Sequence, residues 1–91
     1  MKYVFDESAW EDYLHWQTED RRVLKRVSML LRDVARGADD GTPHEGIGKP
    51  EALKHGFQGY WSRRITDEHR LVYKVARDEI RVAACRYHYG D

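Results

Sequence analysis

The 91 residues, 41% hydrophobic and 35% charged, supply a modest core for one domain, residues 1–91, and no room for a second. Sixteen basic and sixteen acidic side chains cancel, so the total charge demands no nucleic-acid partner, and the single cysteine, Cys85, excludes an internal disulfide and fits a reducing compartment. The N-terminus has no apolar run long enough for a signal peptide or membrane span, so the chain is expected to be cytoplasmic, with no membrane partner.

Lys2 to Phe5 contains a β-favouring run, Tyr3-Val4-Phe5. Asp6 and Ser8 are capping candidates for a first helix, in which Trp10, Tyr13, Leu14 and Gln17 recur at helical spacing. Thr18-Glu19-Asp20 reads as a break, with Thr18 or Asp20 as the next cap. The second helix is the clearest element. Val23, Val27, Leu30, Leu31 and Val34 make one apolar stripe, and Gly37 is expected to end it. Residues 38–50 hold three glycines and both prolines and read as a loop. Pro50 is expected to open a short helix through Glu51-Ala52-Leu53-Lys54.

Beyond Gly59 the texture becomes β. Strands are expected over 60–66, 70–75 and 79–87, joined by turns at 66–69 and 76–78. Together with the first strand they make an α+β domain, with two N-terminal helices on one face of a mainly antiparallel sheet. Leu71, Tyr73 and Val75 share one face of their strand, with Arg70, Val72 and Lys74 opposite. In the last strand, Ile80, Val82, Ala84, Arg86 and His88 share a face. A one-residue slip would exchange the two faces, so alternation alone leaves the register open.

Charge is unevenly distributed. Asp6, Glu7, Glu11, Asp12, Glu19 and Asp20 face Lys2 alone in the first twenty residues, whereas Arg21, Arg22, Lys25, Arg26, Arg32 and Arg36 follow. Arg63, Arg64, Arg70, Lys74, Arg77, Arg81 and Arg86 occupy the last third, so a local basic face is possible at zero net charge. Metal-independent RNA cleavage needs a base for the ribose 2′-hydroxyl, an acid for the departing 5′-oxygen and positive charge at phosphorus. Glu51, His88 and several arginines are chemically suited, but residue types so far apart in sequence do not by themselves define a site. His15, His44, His55 and His69 fit no zinc spacing, and neither a metal nor another cofactor is expected. Cys85, flanked by Ala84 and Arg86 in a β run, reads as a small buried side chain.

Three segments sharpen this picture: GKPEALKH (48–55), WSRRITDEHRLVY (61–73) and AACRYHY (83–89). Together with ESAWEDYLHW (7–16), they resemble the signature segments of the YoeB toxins in the RelE-like superfamily, from about Tyr3 to Tyr89. The resemblance implies a fold like that of small microbial ribonucleases and ribosome-dependent mRNA cleavage as a toxin. By the same likeness Glu51 is the general base, His88 the general acid and Arg70 the transition-state arginine. Tyr89 is a terminal aromatic beside substrate, and Lys49, Lys54, Arg63 and Arg64 fall at basic substrate-contact positions. The implied partners are an antitoxin with a flexible wrapping tail, the ribosome and mRNA, with a homodimer possible. Two departures stand out. Gly90 and Asp91 follow Tyr89, bringing a carboxylate near His88, and His44 occupies a place where an apolar residue is expected.

Plainer roles compete with these. Glu51 as a solvated carboxylate, His88 as a frayed end, Arg70 as an ion-pair partner of Asp67 or Glu68, and Arg63 and Arg64 as charged edge protection are all compatible with the bare sequence. Trp10 and Trp16 read as core or dimer contacts, and Trp61 as core or a platform for a base. The competing function is a non-catalytic ribosome-binding inhibitor, or an antitoxin-dependent transcriptional co-repressor.

Overall fold

One residue separates the two helices. In the computed structural model, which describes residues 1–88, Asp20 follows α1 (Glu7–Glu19) and caps α2 (Arg21–Asp39). Its carboxylate accepts the backbone N–H of Arg22 and Val23 at 3.0 and 3.4 Å, satisfying two donors that have no intrahelical partner. At the start of α1 the expected caps behave differently. Asp6 precedes the helix but makes no capping bond with its side chain; its carboxylate pairs with Arg81 at 3.3 Å. Ser8 lies inside the helix, and its hydroxyl donates to the Ala83 carbonyl.

Val23, Val27, Leu30, Leu31 and Val34 are all buried, as the stripe predicts. Gly37 does not end α2, which continues to Asp39. Its role is clearance. A Cβ there would lie 2.5 Å from the Thr42 carbonyl oxygen, and the Gly37 carbonyl accepts the Thr42 N–H at 2.7 Å.

Five strands follow the order β1-β5-β4-β3-β2: β1 (Lys2–Phe5), β2 (Glu51–Ala52), β3 (Trp61–Arg64), β4 (Arg70–Ala76) and β5 (Glu79–Ala84). β1 is parallel to β5 and the remaining pairs are antiparallel. The helix expected after Pro50 is not formed; Glu51 and Ala52 pair with Ser62 and Trp61 instead. Lys49 and His55 both have φ of 52°, which interrupts any helical run. The segment between them is too short to repay helix nucleation, whereas the β3 edge offers ladder partners at once.

The register assigns the faces. Trp61, Leu71, Tyr73, Val75, Ile80 and Val82 lie towards the helices and pack with Ala9, Trp16, Leu30 and Val34. In β5 the alternation then breaks. Tyr73 is opposite Val82 and Val72 is opposite Ala84, so Ala83 is an extra residue, a β-bulge. The bulge corrects the expected face for Ala84, which shares the outer face with Val72 while Cys85 joins the core. The Cys85 thiol is fully buried, and burial, with Asp12 nearby, pushes it up to about 12. It packs as an inert small side chain, as the sequence indicates.

Candidate active site

On the face away from the helices, strand pairing sets Glu51 opposite Ser62, Ser62 opposite Val72, and Val72 opposite Ala84. Two residue pairs along the strands, on the same face, Arg64 lies opposite Arg70. A cavity of about 240 Å³ opens here, lined by Glu51, Leu53, Lys54, Ser62, Arg64, Arg70 and His88 among others. Larger hollows of about 660 and 480 Å³ run along α2 and beside β1, but neither contains a histidine. Their one carboxylate, Asp33, is committed to Arg63 and Arg36.

Glu51 and His88 are exposed, whereas Arg70 is buried. Arg70 Nη1 donates to the carbonyls of Thr66, Asp67 and His69 at 2.7, 3.2 and 3.2 Å. The guanidinium is therefore oriented by backbone oxygens of the β3–β4 turn. Among the described residues it forms no ion pair with Asp67 or Glu68, and it lines the cavity together with Glu51 and His88.

The loop that delivers Glu51 is held by a residue assigned differently from sequence. Arg63 lies on the helix side, fully buried, and is not brought to the cavity. Its Nη1 bonds Asp33 Oδ2 at 2.5 Å and the Ile47 carbonyl at 3.1 Å, and its Nη2 takes the carbonyls of Pro43 and Glu45 at 3.0 and 3.2 Å. Its Nε bonds the Tyr73 hydroxyl at 3.2 Å. With its donors so engaged, Arg63 is a clamp on residues 43–47 and not a phosphate contact. Asp33 completes the clamp by accepting the Ile47 N–H at 3.1 Å and a bond from Arg36. Gly46, at φ 129°, is required here because a Cβ would collide with the Asp33 carboxylate. Burial raises the Asp33 carboxyl, but the bonds from Arg63, Ile47 N–H and Arg36 outweigh it and hold the group below its ordinary 3.8.

His44 belongs to the same clamp. Its ring stacks on Trp61, centroids 3.9 Å apart, and its Nδ1 lies 3.3 Å from the Tyr73 hydroxyl. Trp61 thus packs against the loop, on the side away from the cavity. Burial and then the nearby Arg63 charge hold the His44 imidazole below its ordinary 6.5. As pH falls below 6.5 the unfolded chain therefore binds the proton first. The corresponding stability is complete above 6.5 and is lost as pH falls through the lower folded value. Urea midpoints at pH 7.5 and 5.5 are expected to fall further for the natural chain than for His44→Phe, which keeps the stack. Equal falls would remove His44 as the cause.

Of the other expected site residues, Lys54 and Arg64 line the cavity, Lys49 is exposed and does not, and Tyr89 lies outside the described residues, as do Gly90 and Asp91. Ser62 was missed. Its signal was present: it alternates with Arg63 in Trp61-Ser62-Arg63-Arg64 and so shares the face of Arg64. Trp16 is a core residue, whereas Trp10 is 45% exposed and stacks on Tyr13. Among the described residues no three His, Cys, Asp or Glu side chains cluster for a metal, and no helix is long and apolar enough to cross a membrane.

Residues 5–89 match the model of the YoeB-like toxin of bacterial type II toxin–antitoxin systems. The chain belongs to the YoeB toxin family. Toxin YoeB of Escherichia coli K12 is 54% identical over 89 residues, 98% of this chain and 100% of that protein. The YoeB/ParE toxin of Agrobacterium tumefaciens superposes with a TM-score of 0.88 at 46% identity, covering 98% of this chain and 100% of the other. Staphylococcus aureus YoeB has been solved as a dimer, with a TM-score of 0.84 and 44% identity over 98% of each chain. It has also been solved in a heterotetrameric YoeB–YefM toxin–antitoxin complex, with a TM-score of 0.82 at the same identity and coverage. The expected fold, two N-terminal helices on one face of a mainly antiparallel sheet, is therefore the one observed, with β2 as a fifth strand in place of the expected short helix.

Proposed function

We propose that this type II toxin is an endoribonuclease that cuts mRNA on the ribosome without a metal. The observation that carries the proposal is the single cavity lined by Glu51, Arg70 and His88, with Lys54 and Arg64 at its border. Glu51 takes the proton from a ribose 2′-hydroxyl, whose oxygen attacks the adjacent phosphorus. The P–O5′ bond breaks, and His88 gives its proton to the leaving oxygen. Arg70 offsets the negative charge that builds on the non-bridging oxygens. The products are a 2′,3′-cyclic phosphate and a 5′-hydroxyl end. Lys54 and Arg64 contact the flanking phosphates, which gives affinity without sequence choice.

The ribosome enters as the partner that holds mRNA in a reactive geometry over an open cavity. Cytoplasm is the compartment where such a substrate is met. By analogy with the YoeB–YefM complex of S. aureus, the inhibitor is a small antitoxin whose flexible tail orders on binding and covers the basic face.

The test is cleavage of a defined mRNA by the purified chain, with and without ribosomes, in excess chelator, with both ends mapped. Ribosome-dependent cuts that survive the chelator and leave cyclic phosphate are expected. Ribosome binding with no cleavage would instead make this protein a non-catalytic inhibitor.

A further inference from the structure

The ladder between β4 and β5 stops at Ala84, four residues before His88. Side chains then take over. The Cys85 N–H donates to Asp12 Oδ2 at 3.0 Å, and the Cys85 carbonyl accepts Trp16 Nε1 at 2.9 Å, so α1 clips the chain there. Two residues on, the Tyr87 carbonyl accepts the Arg70 N–H at 2.9 Å, and the Tyr87 N–H donates to His69 Nδ1 at 2.8 Å. An imidazole thus stands where a ladder carbonyl would. The His69 carbonyl itself is occupied by the N–H groups of Ile65 and Thr66 and by Arg70 Nη1. Edge-on packing against Trp16, with centroids 4.8 Å apart, holds the ring from another side.

Tyr87 needs such holding. Its φ is 68°, the left-handed region that side chains with a Cβ rarely adopt. Strained residues of this kind persist where their surroundings over-determine them. The next residue is His88, which lines the cavity.

We propose that His69 is a positioning residue for RNA cleavage, its Nδ1 holding the Tyr87 N–H and so maintaining the left-handed turn that presents His88. The inference rests on His88 being the proton donor proposed above. To accept at Nδ1, the ring carries its proton on Nε2. Because His69 and Arg70 are consecutive, one dipeptide grips both the N–H and the carbonyl of Tyr87. That couples the place of His88 to the place of Arg70.

The test compares His69→Leu, His69→Asn and His88→Ala in the ribosome-dependent cleavage reaction, with amide exchange at Tyr87. Leucine fills the space beside Trp16 but accepts no hydrogen bond. Asparagine carries an amide oxygen near the place of Nδ1. His69→Leu is expected to lower kcat about 10- to 100-fold, the scale of a small misplacement of a reacting group, with KM nearly unchanged. His69→Asn is expected to recover most of kcat and the protection of the Tyr87 amide. Full kcat in His69→Leu beside an inactive His88→Ala overturns the positioning role alone. Equal impairment of Leu and Asn also overturns it, by making His69 a packing residue. Cleavage that survives His88→Ala overturns both this inference and the reading it rests on. An unprotected Tyr87 amide in the natural chain overturns the positioning role without any variant.

Discussion

His88→Ala is expected to lower ribosome-dependent cleavage by about 10²- to 10⁴-fold, the usual contribution of a positioned acid or base, while melting temperature and antitoxin binding stay unchanged. The selectivity follows from location. His88 is exposed, outside the hydrophobic core and beyond the end of β5, so truncating it opens no cavity and breaks no buried bond. Its proposed task is confined to the leaving oxygen. A substrate carrying a bridging 5′-sulfur leaves as a thiolate and has little need of a proton. That substrate is expected to restore cleavage in His88→Ala but not in Glu51→Ala, because the 2′-hydroxyl must lose its proton in either case. Rescue of both variants, or of neither, would break the assignment of acid to His88 and base to Glu51.

The second large effect concerns stability. Arg63→Ala is expected to destabilise the fold by about 3–5 kcal/mol, the range for removing one partner of a buried ion pair. In a domain of this size that lowers the melting temperature by roughly 15–30 °C. The loss has two parts: Asp33 is left with less of its compensating charge, and the carbonyls of Pro43, Glu45 and Ile47 lose their donors. Urea unfolding measures it directly. The paired change Asp33→Leu with Arg63→Met is expected to recover part of the stability, because no buried charge is then orphaned. Activity is expected to stay low in the pair, since the loop before Glu51 is no longer clamped. An unchanged urea midpoint in Arg63→Ala would mean that the clamp does not support the fold.

Arg63 also shows where the site departs from a sequence-level view. In Trp61-Ser62-Arg63-Arg64 two adjacent arginines look equivalent, yet alternation sends Arg64 to the cavity and Arg63 into the interior. Arg63 is tolerated in the core because Asp33, thirty residues earlier, neutralises it, and three loop carbonyls with the Tyr73 hydroxyl take its remaining protons. His44 is explained the same way. It occupies an apolar position in the resemblance pattern, and the structure stacks it on Trp61 beside that guanidinium.

The elements that depend on neighbours in sequence were legible from the start. The stripe from Val23 to Val34 specifies a helix with one buried face, Asp20 carries its own cap, and period-two alternation after Gly59 specifies a meander. Likeness over most of the chain carries the family. Glu51, Arg70 and His88 were singled out by that likeness, since residue type and spacing alone did not bring them together. Tertiary structure decided what depends on register between distant strands: the bulge at Ala83 that exchanges Ala84 and Cys85 between faces, the two-residue β2 in place of a helix, and the burial of Arg63. It also decided the turn at Tyr87. Each of these is a choice between local conformations of similar cost, and each is settled by a partner 11 to 73 residues away in the chain, Ser62 for β2 and Asp12 for Cys85 among them. A single sequence records the local preference but not the partner, and the partner's hydrogen bonds and burial are what tip the balance.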